Sequence, residues 1–475
     1  GVTGEAPSDV LWHYNLSARH LDKLCERVDT FSVSGDGERL VVRHRDDIIV
    51  VPSSHKVDGD DPACIRVDLT RLRRTVNPRA EWRQMFDENG RLMASHYWRE
   101  DMNGVDWDSV LNRYRPLVDL CHVVDDLHDI LWETVAELNT SHSYVSASGA
   151  AGDSDMRAGL LGADVSSGND GAKVVRVIPG ESSDPRAWSP LRAAGVAVTE
   201  GDVIVAVDGR KVGADGNLGE LLEGSAGRVV ELTVRRGENE RQVAVVPMAD
   251  EAPLRYHDWV ASRRRYVEEH SGGRLGYLHV PDMVSDGWAE LHRQIGEATR
   301  HEGVIADVRF NHGGHTSQLV VERLARRVVG WDYSRWYATA DTYPQNAVRG
   351  PIVMVTNQWA GSDGDIVAAA TQAMGYAKVI GERSWGGVVG IDGRFDLVDG
   401  TSVTQPRYAG WYGSYGWGVE NHGVDPDIVV TVSPEDWEAD CDVQLDAAIA
   451  ECLRQLDDKP AATAPELPGP AFDRC

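Results

Sequence analysis

The chain has 475 residues, 42% of them hydrophobic, enough for about three domains with sizeable cores. Its 75 Asp and Glu against 48 Lys and Arg give a formal net charge of −27. That balance argues against a nucleic-acid binder, which needs basic surface to release phosphate counterions, and against anionic membrane surfaces.

No apolar run approaches ~18 residues, so no membrane span is indicated. Six cysteines, Cys25, Cys64, Cys121, Cys441, Cys452 and Cys475, show no CxxC spacing. With no HExxH either, neither a metal site nor a cofactor is indicated. Scattered thiols in a chain this long read as free and reduced, which points to the cytoplasm. Gly1–Pro7 has no signal-peptide character, and a start without Met leaves a leader on a longer parent open.

In chain order, residues 30–52, TFSVSGDGERLVVRHRDDIIVVP, alternate around turn signals at Gly35-Asp36-Gly37 and Asp46-Asp47 and predict β-strands. A lone hairpin is not stable, so this piece belongs to a larger β structure, a propeller blade being one candidate. From 68 to 140, EWRQMFDENGRLMASHYW, DSVLNRYRPLVDLC and VVDDLHDILWETVAELN space their apolar residues as helices do, with Asp106 and Asp108 near a helix start. Asn89-Gly90 inside the first of these weakens it by about 1 kcal/mol. Residues 147–158 read as a loop.

Leu160 to Met248 is a run of short strands broken by glycine turns, with one helix at NLGELLEG: a compact α+β module. SRRRY at 262–266 reads as a solvated basic turn or as a site for an acidic partner. From Leu275, strand and helix alternate: LGYLHVP, Asp286–Arg300, GVIADVRF, SQLVVERLARRVV, PIVMVT and DIVAAATQAMG. This predicts an α/β domain. The Pro/Ala-rich tail from Asp457 reads as mobile.

In α/β sheets, ligands meet the chain beyond the carboxyl ends of strands, and two such ends carry unusual residues. In DVRFNHGGHTSQ, Gly313-Gly314 lets backbone approach a ligand and present N–H groups. In TNQWAGSDGDI, Ser362 stands between a strand and a helix. Either it caps the helix, or it is a nucleophile held at the corner with the Asp363 N–H aimed at an oxyanion. A nucleophilic serine needs a base. His142, in ELNTSHSYV, is a surface histidine ending a helix or that base. Glu420, in WGVENHGVDPDIVV, is a solvated loop acid or a group that orients partners.

Taken together and in order, TSHSY, the α+β module, DVRFNHGG, AGSDGD and VENHGVDPDI resemble the tricorn protease family, relatives of the C-terminal processing peptidases. The resemblance covers nearly the whole chain. It implies a multidomain α+β and α/β protein. The parts would be the end of a β-propeller (1–53), a helical core domain (54–150), a PDZ-like domain (151–255), an α/β core of crotonase-like or ClpP-like type (256–457), and a flexible tail (458–475).

It further implies a serine endopeptidase acting on unfolded peptides, with Ser362 as nucleophile, His142 as base, and Ser141 and Glu420 completing a Ser-His-Ser-Glu tetrad. The oxyanion hole would be the N–H groups of Gly314 and Asp363, with Gly313 the neighbouring register. Asp332, in GWDYSRW, would select basic P1 side chains from a neighbouring subunit of a hexamer. LLGADV fits a PDZ carboxylate-binding loop, or the module only packs. Two further readings stay open: a peptide-binding scaffold without catalysis, and a Ser-Lys peptidase using Lys378.

Overall fold

The computed structural model describes residues 9–73, 75–149, 156–213 and 217–467, and the chain divides into two compact units, 1–78 and 79–475. In the first unit, a hairpin of Val10–Asn15 and His20–Glu26 precedes a four-stranded antiparallel sheet. Its strands, Thr30–Val33, Arg39–His44, Asp47–Pro52 and Ile65–Val67, pair in that order. The first turn contains Gly37 at φ +76, and the second is Arg45-Asp46. Along Arg39–His44, buried and exposed residues alternate, so Leu40 and Val42 join Leu24, Val28 and Val51 in a one-sided core. The fourth strand follows residue 53, so this sheet extends past the 1–53 segment.

The second unit begins with three helices, α1 (Pro78–His96), α2 (Trp107–Val118) and α3 (Val124–Ala136). α1 runs unbroken through Asn89-Gly90 because the glycine is where α2 comes closest. A Cβ on Gly90 would lie 2.9 Å from both methyls of Leu111, and the Trp107 indole donates to the Gly90 carbonyl at 3.0 Å. The packing offsets the propensity cost. Asp106 caps α2, accepting from the Ser109 amide at 3.1 Å.

Next comes a six-stranded antiparallel sheet, ordered Asn239–Val245, Val230–Arg236, Val203–Val207, Gly171–Val177 and Ala163–Gly168, with Arg210–Lys211 beside Val203–Val207. The expected helix is the short turn Leu218–Leu221. A long helix, α4 (Ala252–His270), leads out. The SRRRY stretch is interior to α4 rather than a turn, and two of its arginines are paired: Arg263 with Asp442 at 3.3 Å and Arg264 with Glu297 at 3.5 Å.

The last part is a five-stranded parallel sheet in sequence order: Leu275–His279, Gly303–Asp307, Ile352–Thr356, Ala377–Gly381 and Ile428–Val429. Every residue of the first three strands is buried, as a sheet covered on both faces requires. α5 (Ser285–Ala298), α6 (Ser317–Leu324) and α7 (Asp363–Met374) cover one face through Leu291, Val320 and Val367. α4 and α8 (Val443–Asp458) cover the other through Val260, Leu445 and Ile449. The helical part is stitched to this domain where Val145-Ser146 pairs antiparallel with Ser402-Val403.

Part of the tail is anchored, the Ala462 amide donating to Arg349 O at 2.8 Å. Residues 468–475, with Cys475, lie outside the described residues, as do 150–155 of the expected loop. The five described cysteines are unpaired. Among the described residues no helix is long and apolar enough to cross a membrane, and no cluster of His, Cys, Asp or Glu is arranged to hold a metal.

Candidate active site

The loops that leave two adjacent strands, Gly303–Asp307 and Ile352–Thr356, meet over the carboxyl edge of the sheet. Fully buried Asn311 joins them. Its Oδ1 accepts from the Gly313 amide at 2.9 Å, its Nδ2 donates to Val280 O at 2.7 Å, and its carbonyl accepts from Gly361 N at 3.0 Å. Gly313 fits where nothing larger does: at φ +75, a Cβ would lie 2.5 Å from Ser362 Cβ. With the Gly313 amide taken by Asn311, the next amide in the loop is that of Gly314, at an exposed position.

Ser362 stands at the N-cap position of α7, yet its side chain caps nothing. Its φ of 59° and ψ of −120° are strained for a residue with a Cβ, costing about 1–3 kcal/mol, which the packed surroundings hold in place. The amides of Gly314 and Asp363 donate to no partner among the described residues, and the Asp363 amide adds the positive potential of a helix N-terminus. The Asp363 carboxylate turns the other way and caps α6, accepting from Ser317 N at 3.0 Å. Burial raises its pKa, opposed by that amide.

A third loop, following Ala377–Gly381, completes the corner. Fully buried Asp365 accepts from the Ser384 hydroxyl, from Gly386 N at 2.8 Å and from Gly387 N at 3.3 Å. Burial pushes it up to about 6 while these donors pull it down. The next two amides go to a different acid: Val388 N and Val389 N donate to Glu420 Oε2 at 2.8 and 3.1 Å. Glu420 also accepts from Ser141 N at 2.7 Å and Ser141 Oγ at 3.0 Å. Ser141 Oγ lies 3.1 Å from His142 Nδ1. The carboxylate only accepts, so Ser141 gives it its proton and receives one from Nδ1–H, which leaves Nε2 as the bare, basic nitrogen.

His142 sits at φ 59, a region that histidine tolerates better than most residues. Thr404 fixes it there: its hydroxyl donates to His142 O and accepts from Tyr144 N at 2.7 Å. The imidazole packs edge-on against Trp385, ring centres 5.5 Å apart, and Trp385 covers Gly361, where a Cβ would be 2.7 Å from the indole. Ser141, His142 and Glu420 are thus bonded in series, Trp385 links the imidazole to Gly361, the residue before Ser362, and no hydrogen bond joins the imidazole to the Ser362 hydroxyl. Burial lowers the His142 pKa, while the Val389 carbonyl and the Glu420 charge pull it up. A cavity of about 440 Å³ opens beside Glu420, lined by Tyr97, Trp98, Asn139, Val389 and Trp417 among others.

Three regions match family models: residues 78–136 the tricorn protease C1 domain, 159–250 the tricorn protease PDZ domain and 274–430 peptidase family S41. The chain is 56% identical over 467 residues to tricorn protease homolog 1 of Streptomyces coelicolor, covering 97% of this chain and 44% of that protein. It is 35% identical over 454 residues to the tricorn protease of Thermoplasma acidophilum, covering 95% and 42%. A solved tricorn protease crystal structure superposes with a TM-score of 0.85 at 34% identity, covering 94% of this chain and 43% of that one.

The chain belongs to the tricorn protease family. It spans less than half the length of these relatives, and its fold is a mixed α/β one with PDZ and S41 peptidase domains. The remaining predicted site residues lie apart from this cluster. Asp332 is exposed on a hairpin, Gly330–Asp332 against Asp341–Tyr343, touching none of the groups above among the described residues. Lys378 lies on the edge of the sheet opposite the site, near the start of its strand and 3.5 Å from Asp427, which removes it as a partner for Ser362. Asn311, Asp365, Thr404 and Gly386–Val389 escaped the sequence reading. ERSWGGVVG follows a strand and carries a Gly pair, so the rule that flagged the other two strand ends reaches this one too.

Proposed function

We propose that the chain is the catalytic part of a serine endopeptidase that hydrolyses unfolded peptides through an acyl-enzyme. The observation that carries this is the corner itself: an uncapped, strained serine beside two unpaired amides, with an acid–serine–histidine relay packed against it. In this reading His142 Nε2 takes the Ser362 proton as Oγ attacks the scissile carbonyl. The amides of Gly314 and Asp363 hold the oxyanion, and Ser141 and Glu420 stabilise the imidazolium. The proton then passes to the leaving amine, and water repeats the sequence on the acyl-enzyme. No metal or cofactor takes part.

The same proposal assigns Asp332 to P1 recognition of basic side chains in a neighbouring subunit of a hexamer. Its exposed hairpin, with Trp336 76% and Tyr337 68% accessible, has the aromatic character of a contact surface. The four-stranded sheet of residues 30–67 supports the reading as the last blade of a propeller, and the covered parallel sheet that of a crotonase- or ClpP-like core. The unpaired cysteines support a reducing, cytoplasmic setting.

Ser362→Ala is expected to lower hydrolysis of a fluorogenic basic peptide by roughly 10⁴-fold or more, and a fluorophosphonate should label Ser362 in the parent alone. Unchanged hydrolysis in the alanine variant sinks the proposal.

A further inference from the structure

The PDZ-like module offers a second set of loop amides, away from the catalytic corner. In such modules an extended peptide adds to the edge strand, and its terminal carboxylate lands on the backbone N–H groups of the loop before it. The edge strand here is Ala163–Gly168, paired on one side only, and the preceding loop is Gly159–Gly162. Three of its four amides have partners. Gly159 N donates to Leu222 O at 2.8 Å and Leu160 N to Met248 O at 2.8 Å. Gly162 N donates to a carboxylate, Glu251 Oε2, at 3.1 Å.

Glu251 stands at the N-cap of α4 but does not cap it. Asp250 Oδ1 takes the Ala252 amide instead, at 2.8 Å, which frees Glu251 to reach the loop. Arg255, one turn on, steadies it at 2.9 Å. From the same turn, fully buried Leu254 fills an apolar hollow with Ile178, Ala187 and Met248, so close that a Cβ on Gly162 would meet its Cδ2 at 2.8 Å. An acid on the loop amide and a leucine in the hollow beside it are the two features that the end of an apolar peptide would supply.

Further contacts along α4 hold this arrangement: Arg255 to Asp164 at 2.9 Å, Asp258 to Arg176 at 2.7 Å and His257 to Asp184 at 3.4 Å. Elsewhere on its surface, α4 packs Val260 and Val267 on the catalytic sheet, and Tyr256 Oη meets His279 Nδ1 at 3.1 Å.

We propose that the module is a carboxylate-binding site occupied in cis by Glu251 and Leu254, and that the ligand class it takes on exchange is a peptide with an apolar last residue and a free terminal carboxylate. A tethered ligand acts at an effective concentration in roughly the mM range, which shuts out free peptide at μM levels. The module therefore clamps α4 to the rest of the chain rather than sampling peptide ends. This does not depend on the catalytic assignment.

The test uses the whole chain in a Ser362→Ala background, so that no probe is cut. A short fluorescein-labelled peptide ending in Leu is compared with its C-terminal amide by anisotropy. The chain with Glu251 intact is expected to bind the two forms alike. Glu251→Ala should bind the carboxylate form at least about tenfold tighter than the amide, because an uncompensated amide then waits for an anion. If that variant does not fold by circular dichroism, Glu251→Gln and Arg255→Met keep the bulk of the turn and carry the same expectation. A carboxylate preference already present with Glu251 intact overturns the proposal, and so does a folded variant with none.

Discussion

Two sets of backbone amides flank the proposed active site, and the fold treats them oppositely. Gly386 to Val389 line up four consecutive N–H groups, and all four are satisfied by the chain's own acids, two by Asp365 and two by Glu420. Gly314 and Asp363 present two amides and no acid meets them. The acid nearest by sequence, Asp363 itself, is turned onto α6. Two open amides beside a strained serine are what the proposed oxyanion site requires. The filled set fixes parts in place, and the open set waits.

The filled set is broken hardest at Glu420. Glu420→Gln strips the charge that steadies an imidazolium and places an NH₂ where only acceptors fit, opposite donors from Ser141, Val388 and Val389. Loss of kcat by roughly 10²- to 10⁴-fold is expected, on the scale of neutralising the acid of a Ser-His-Asp triad. The pH profile gives the sign. Burial already lowers His142 below its ordinary 6.5, with Glu420 pulling the other way. The imidazole of the parent is thus neutral and able to accept a proton somewhat below pH 6.5, and removing Glu420 should move the acid limb of kcat/KM further down. A limb that stays put or rises would show that Glu420 does not act on His142.

Much of this was legible in the chain. Period-2 alternation marked Arg39–His44 and period-3.6 spacing marked α1 to α3, because each element buries one face and must repeat accordingly. The apolar runs at Leu275, Gly303 and Ile352, alternating with helical stretches, marked an α/β domain. Ser362 and Gly313-Gly314 stood out because the backbone there needs special residues. Asp365, Thr404 and Asn311 did not, since a buried Asp, Thr or Asn spells the same as a solvated one. Their roles exist only after residues from distant stretches meet, as when Thr404 bonds His142 across 262 positions. Gly90 misled for a related reason: its cost is local, and the compensating approach of Leu111 and Trp107 is not.

Asp365 offers a milder way to disturb the filled set. Asp365→Asn keeps the shape and one acceptor oxygen but sets an NH₂ either against the Gly387 amide or against the Gly386 amide and the Ser384 hydroxyl. The loop carrying Trp385 then shifts relative to α7, and misplacement by about 1 Å is enough for roughly 10²-fold in rate. A fall in kcat with KM and melting temperature little changed would mark a positioning role. An equal fall in melting temperature with kcat intact would mark Asp365 as a brace for the fold alone.

The smallest expected effect tests how His142 is held rather than what it does. Thr404→Val preserves shape and the backbone bond from Thr404 N to Tyr144 O at 3.0 Å but removes the hydroxyl that joins His142 O to Tyr144 N. The Tyr144 amide then lacks its acceptor, a cost of about 1–3 kcal/mol where water does not replace it. The strand pair Val145-Ser146 with Ser402-Val403 stays, so the segment should remain docked while His142 samples more orientations. Accordingly kcat should fall by up to roughly tenfold, the scale of 1.4 kcal/mol, with KM and the position of the acid limb unchanged because neither Glu420 nor the burial of the ring is altered. A shifted limb instead would mean that Thr404 sets the electrostatics of His142 and not only its aim, placing it with the charged half of the comparison.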